Sequence, residues 1–191
     1  YEPNKETSLG SKAKKLNREI NDYIYDILLE DDGNSLLYYP IGNYLDYSLE
    51  ASLEMISSDH TLLGLGDGGA HCATICDASF TTHMLTFWGR DRTRGKKLDL
   101  PWIIKSYTRD NALAIGLEDR GLIKEGMKAD INIIDFNNLT LYSPEIRYDL
   151  PAGGKRLVQR VDGYKYTIVS GKVTYVDGVS TGELPGRLIR S

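Results

Sequence analysis

Residues 61–66, Thr61-Leu62-Leu63-Gly64-Leu65-Gly66, form a short apolar run bounded by turn residues. A run of that length without polar alternation reads as a strand buried on both faces. Residues 35–41, Ser35-Leu36-Leu37-Tyr38-Tyr39-Pro40-Ile41, read as a second strand whose end is marked by Pro40. Helical patterns flank both. Over residues 6–29, Leu16, Ile20, Ile24, Ile27 and Leu28 recur at helical spacing, with Lys and Glu between them. Asp31-Asp32-Gly33-Asn34 stops that helix, and Gly42-Asn43-Tyr44 is a loop. From Asp46 to Ile56, the residues Leu49, Leu53 and Ile56 share a face, and Asp46 or Ser48 can cap it. Asp77 or Ser79 can cap a third helix that runs to about Trp88, and Pro101 opens a fourth that reaches about Ile115. This order predicts an α/β fold with parallel strands. Two parallel strands do not close a sheet, and their unpaired edges invite association. The pattern therefore predicts that the chain either belongs to something larger or pairs with other copies.

After Gly116 the pattern changes. Leu122-Ile123 and residues 129–134, 164–170 and 172–176 are short β-type segments broken by Gly and Asp. Ser170-Gly171 and Asp177-Gly178 read as hairpin turns, so this half is expected to be antiparallel. The division falls near residue 117, giving segments 1–116 and 117–191. Neither an internal repeat nor a low-complexity tract is visible.

The 191 residues suffice for one large or two small domains. With 23 basic against 27 acidic residues, the charge balance gives no reason to expect nucleic acid or an anionic membrane as partner. No stretch is long and apolar enough to span a bilayer. Cys72 and Cys76 lie four apart, which argues against a disulfide framework and makes a reducing cytoplasm the default. No signal peptide is visible, and the chain starts at Tyr1. That start reads as a cut end, a fragment boundary or a trimmed lead.

The apolar run at 61–66 leads directly into Asp67-Gly68-Gly69-Ala70-His71. A carboxylate at the C-terminal end of a buried strand is held by a rigid element, and the glycines let a ligand approach the backbone. A plain strand-to-loop turn, where Asp-Gly is common, is the competing explanation.

Three segments together carry a resemblance that none carries alone. The first is Leu63-Gly64-Leu65-Gly66-Asp67-Gly68-Gly69-Ala70-His71. The second runs Arg120-Gly121-Leu122-Ile123-Lys124-Glu125-Gly126-Met127-Lys128-Ala129-Asp130-Ile131-Asn132-Ile133-Ile134-Asp135. The third goes from Ile168-Val169-Ser170-Gly171-Lys172-Val173 to Thr181-Gly182-Glu183-Leu184-Pro185-Gly186-Arg187. The chain resembles the C-terminal part of an amidohydrolase-superfamily enzyme, in the D-aminoacylase-like branch (N-acyl-D-amino-acid deacylases). The resemblance extends from about residue 10 to about residue 190. It implies that residues 10–115 supply the last strands and helices of a metal-dependent-hydrolase (β/α)8 barrel. Residues 117–190 would then supply the C-terminal strands of a small β-sandwich. A whole barrel of this kind takes about 250 residues.

The resemblance also implies a role for Asp67, as the last-strand carboxylate that touches the metal or its bound water. There it takes a proton from that water and gives one to the leaving amine. Zinc lowers the pKa of bound water to about 7, and a nearby carboxylate can then shuttle the proton. The family's other ligands come from earlier strands and include a His-x-His pair. This chain has three histidines, His60, His71 and His83, and no His-x-His. Catalytic zinc wants three protein ligands, which Asp67 alone cannot provide. The expectation is therefore zinc in the parent enzyme, none bound by the isolated chain, and an isolated chain without activity.

Other residues offer competing readings. His71, Cys72 and Cys76, with Asp67 or Asp77, could make a local zinc cluster, but His-Cys-x3-Cys is not a familiar finger and buried thiols are the plainer explanation. His71, with Gly68 and Gly69, could line the substrate pocket of the parent enzyme. In the basic loop at 89–97, Arg90 could grip a substrate carboxylate, against the alternative of a solvated loop. Asn43 and Tyr44 follow the run at 35–41 and take either a pocket or a turn role. Gly153-Gly154-Lys155-Arg156 lacks the full phosphate-loop pattern. His60 reads as a loop residue and His83 as a helix-face residue.

The expected function is thus that of a fragment of a zinc amidohydrolase acting on an N-acylated D-amino acid, a small-molecule substrate. Either an N-terminal part is missing or the chain is a homo-oligomer. The alternative is a complete non-catalytic protein that self-associates through exposed strands.

Overall fold

A computed structural model of the protein describes residues 1–44, 46–64, 66 and 71–189. The chain divides into two compact units, residues 1–61 with 93–95, and residues 62–92 with 96–191. Among the described residues, every α-helix precedes residue 115 and every strand follows residue 130. No helix among them is long and apolar enough to cross a membrane.

The first unit is helical. Its leading helix pattern is not continuous. It separates into α1 (Leu9–Lys15) and α2 (Ile20–Gly33) because Asn17 takes a left-handed φ of 51°. Ser8 caps α1 by accepting from the Ser11 amide at 3.2 Å, and the Glu19 carboxylate caps α2 through the amides of Asn21 and Asp22. Glu30, Asp31 and Asp32 leave helical geometry, so the acidic stop signal acts inside the last turn of α2. α3 (Glu50–Ile56) follows. Ala13, Tyr44 and Leu53 are the buried apolar residues of this unit among those described.

The strand expected at 35–41 does not form. Residues 35–41 pair with nothing in a sheet, and their apolar side chains stay accessible, with Tyr39 81% and Ile41 92% exposed. A strand exists only through its ladder, and no described segment offers one. Residues 61–64 likewise take no strand pairing, while Leu65 lies outside the described residues. The parallel pair inferred from these two runs is therefore absent among the described residues.

The second unit has a helical part and a β part. A short 3-10 turn (Asp77–Ser79) leads into α4 (Phe80–His83), which continues as a π-helical stretch over Met84–Asp91. α5 (Leu100–Lys105), with Pro101 in its first turn, continues through a π-helical stretch over Ser106–Asp110 into α6 (Asn111–Ala114). Met84, Leu85, Trp88, Leu98, Ile103, Ala112 and Leu139 form the core. Arg92 is only 1% exposed. Its guanidinium lies 4.7 Å from the centroid of the Trp88 ring and donates to the Lys96 carbonyl at 2.9 Å, which offsets burial of the charge.

The β part is antiparallel throughout, as its turn residues predict. One sheet has the order β1-β4-β5-β6, built from β1 (Ile131–Ile134), β4 (Tyr164–Val169), β5 (Lys172–Val176) and β6 (Val179–Ser180). Ser170 and Gly171 (φ 50° and 77°) close β4 onto β5, and Asp177 and Gly178 (φ 46° and 79°) close β5 onto β6. Two positive φ values are what a two-residue hairpin turn matched to strand twist requires. The second sheet is a ribbon of β2 (Thr140–Leu150) and β3 (Gly154–Asp162). Leu122-Ile123 forms no strand.

The segment from Arg120 to Asp135 binds the helical part to the first sheet. Arg109 donates to the carbonyls of Glu118 and Arg120. The Ser170 amide donates to the Asp130 carboxylate at 2.8 Å, and the Gly171 amide to the Ala129 carbonyl at 2.9 Å. Gly121 has a φ of +83°, and a Cβ there would lie 2.6 Å from the Arg109 Cα, so both conformation and space demand glycine. The glycine and aspartate of this motif thus serve architecture rather than chemistry.

Candidate functional site

Asp67, Gly68 and Gly69 lie outside the described residues. The chain on either side of them is held in place. On the approach, Leu63 is buried, and its carbonyl accepts from Asn111 Nδ2 at 2.6 Å. Three residues later, a Cβ on Gly66 would lie 2.9 Å from both the Asp77 carbonyl oxygen and the Phe80 ring. Gly66 is therefore pressed against the start of the α4 helix, one residue before Asp67.

On the departure, His71 takes a φ of 44°, and its carbonyl accepts from the amides of Thr74 and Ile75 at 2.8 and 3.1 Å. The Cys72 carbonyl accepts from the Leu157 amide of β3 at 2.6 Å. Two further bonds tie the following helix start to the β part. Ser79 Oγ meets Gln159 Oε1, and Thr82 Oγ1 lies 2.9 Å from the Tyr164 hydroxyl.

The remaining candidates separate by environment. The side chain of His71 is exposed, as are His60 and Cys72. Cys76 is half-buried, and burial together with the neighbouring Asp77 carboxylate raises its thiol pKa. No group of three His, Cys, Asp or Glu side chains among the described residues could hold a metal ion. The His71-Cys72-Cys76 cluster is therefore not assembled there. His83 stacks on Phe87 at 5.0 Å, and burial lowers its pKa to about 4.

Arg90 is fully engaged. Nε and Nη2 donate to the Asp91 carboxylate at 2.6 and 2.9 Å, and Nη2 also reaches the Leu139 carbonyl at 2.7 Å. Nη1 donates to the carbonyls of Phe136 and Asn137. A guanidinium has five N–H donors, and these bonds use them all, so Arg90 clamps a loop and is neither a free fork for a substrate carboxylate nor a solvated loop residue, the two roles its sequence offered. Tyr44 is 7% exposed and donates its hydroxyl to the Pro3 carbonyl at 2.6 Å, and burial raises its pKa. Asn43 is an exposed bend residue with a φ of 58°. Core and turn duty accounts for both.

Asn111 carries no sequence signal of its own. It sits inside an expected helix, in a sequence that does not distinguish it from a surface residue. Its pairing partner, Leu63, is 48 residues away.

A model of the amidohydrolase family matches residues 34–175. No curated protein and no solved structure matches the chain.

Proposed function

The chain belongs to the amidohydrolase family, and on that premise we propose that it carries one part of the active site of a hydrolase that cleaves the amide C–N bond of N-acyl-D-amino acids. Asp67 is the residue assigned to chemistry. Its carboxylate accepts a proton from the attacking water and returns one to the leaving amine, work suited to a positioned carboxylate. The observation that carries this reading is the pinned approach to Asp67, where Leu63 is tethered and Gly66 has no room for a side chain. Catalytic groups need such supports, because small displacements of a reacting group cost large factors in rate.

Enzymes of this family typically hold a metal, and the described residues do not fit one, since no three donors converge among them. We therefore assign the zinc ligands of the parent enzyme, together with the remaining barrel strands, to further polypeptide. The accessible side chains of Leu36, Tyr38, Tyr39 and Ile41 support this, because a barrel strand buries such residues on both faces. The 191-residue chain alone is then inactive. The purified chain should show neither stoichiometric zinc nor turnover of N-acetyl-D-amino acids, and the reading frame upstream of the Tyr1 codon should encode a His-x-His strand. Zinc-dependent turnover by the chain alone that is lost in Asp67→Ala would keep Asp67 and overturn the divided site. An uninterrupted parent enzyme whose Asp67→Asn variant retains more than about a hundredth of its rate would overturn the role of Asp67.

The same accessible run favours one second reading, a non-catalytic chain that self-associates through these residues. Light scattering tests it, and a stable monomer counts against it.

A further inference from the structure

We propose that Asp32-Gly33 is a self-modifying site, at which the chain closes a succinimide and reopens it as isoaspartate. The proposal stands apart from the role given to Asp67. Three Asp-Gly steps lie wholly within the described residues, Asp32-Gly33, Asp162-Gly163 and Asp177-Gly178. In each, the glycine lacks the side chain that would hinder attack by its own nitrogen. The structure separates the first step from the other two.

Asp32 and Gly33 are both exposed, at the end of α2. The Asp32 carboxylate has no hydrogen bond or ion pair among the described residues. A Cβ on Gly33 would meet nothing within 4 Å, so no neighbour packs against this stretch of backbone. The backbone is also strained. Asp31, Asp32 and Gly33 take φ values of 52°, 53° and 82° in succession, whereas L residues visit this region singly. The other two steps are held. The Asp162 carboxylate accepts from the Tyr142 hydroxyl at 2.7 Å, and a Cβ on Gly163 would lie 2.8 Å from the Leu139 Cα. Asp177 pairs with Lys165 at 3.0 Å, and its amide donates to the Lys165 carbonyl at 2.9 Å.

The chemistry needs no reactant but water. Attack requires the Asp32 side chain and the Gly33 nitrogen to swing together, a local motion that an unheld turn permits. The Gly33 nitrogen then bonds to Cγ of the protonated Asp32 carboxyl, and its proton leaves with the carboxyl hydroxyl as water. In the five-membered imide, one nitrogen joins Cγ to the main-chain carbonyl carbon of Asp32. Water adds to that main-chain carbon, its bond to nitrogen breaks, and the chain runs on through Cβ and Cγ. The backbone is one carbon longer where it enters the accessible run at 35–41, and the succession of left-handed residues is broken.

The test incubates folded and urea-unfolded chain side by side near neutral pH and maps isoaspartate by electron-transfer fragmentation of the peptides. In the folded chain, isoaspartate at residue 32 should accumulate about tenfold faster than at 162 or 177, the scale of a group freed from one hydrogen bond. In urea the three rates should converge, since each step then presents the same Asp-Gly chemistry. A folded chain in which 162 or 177 reacts as fast as 32 overturns the proposal. So does an unfolded chain that keeps the folded ordering, because sequence rather than fold would then select the site. Loss of water from the same peptide that persists in Asp32→Glu, which would have to close a six-membered ring, overturns it as well.

Discussion

Arg90 donates through Nη2 to the carbonyl of Leu139 at 2.7 Å, and Leu139 is itself completely buried. The guanidinium thus holds the loop between β1 and β2 against the end of the Met84–Asp91 stretch.

Arg90→Ala should lower stability by roughly 2–3 kcal/mol, because three loop carbonyls lose a charged donor at once. Arg90→Lys should recover little of that, since an ammonium cannot reproduce the planar fork. Urea denaturation checks both. A variant of unchanged midpoint would dismiss the clamp and return Arg90 to the substrate-binding candidates.

Gly66→Ala and Gly64→Ala form a matched pair. At Gly66 the new methyl meets a backbone oxygen and a ring at 2.9 Å, whereas at Gly64 the nearest atom is 3.9 Å away. The first should cost about 1–3 kcal/mol, as overpacking does, and the second well under 1 kcal/mol. Thermal melts of the two variants read the difference, and equal melting temperatures would contradict the close contact described at Gly66.

His83 gives the fold an acid sensitivity of known sign. Its pKa in the folded chain is lowered to about 4 from 6.5 by burial, so the unfolded chain binds the proton more readily between these values. Stability is then full above about pH 6.5 and declines as the pH falls toward 4, by at most roughly 3 kcal/mol. Comparing wild type with His83→Gln across pH 4–7 isolates this contribution from that of the carboxylates. A constant difference between the two across that range would refute it.

Much of the β half was legible in the sequence because its signals are local. Ser170-Gly171 and Asp177-Gly178 dictate their own turns, and β1, β4 and β5 fall where β-type segments were expected. The β2–β3 ribbon left no comparable trace. Its strands carry Glu145, Arg147, Asp149, Arg156 and Arg160, paired across the ribbon and along it, so neither face shows an apolar alternation. The runs at 35–41 and, in its described residues, 61–66 misled in the opposite sense, since neither pairs in a sheet. Their composition suits a buried strand, but strand pairing is a property of neighbours that composition does not supply. At the candidate site, Asp67 could be singled out because its glycines sit beside it. Asn111, Leu157 and Gln159 reach the same region over 48 to 85 residues of sequence, distances that leave no imprint on local spacing.

The bond from the Leu157 amide to the Cys72 carbonyl makes the length of the β2–β3 ribbon consequential. Leu157 stands opposite Ile146 in the ribbon and directs its N–H outward, away from β2. Strand geometry alternates with every residue, so deleting or inserting one residue between Gly154 and Leu157 would turn that N–H inward and present the opposite face. Drift in the ribbon's surface residues is therefore cheap, while drift in its residue count is not. The ribbon works as a fixed-length gauge for the turn that follows Asp67.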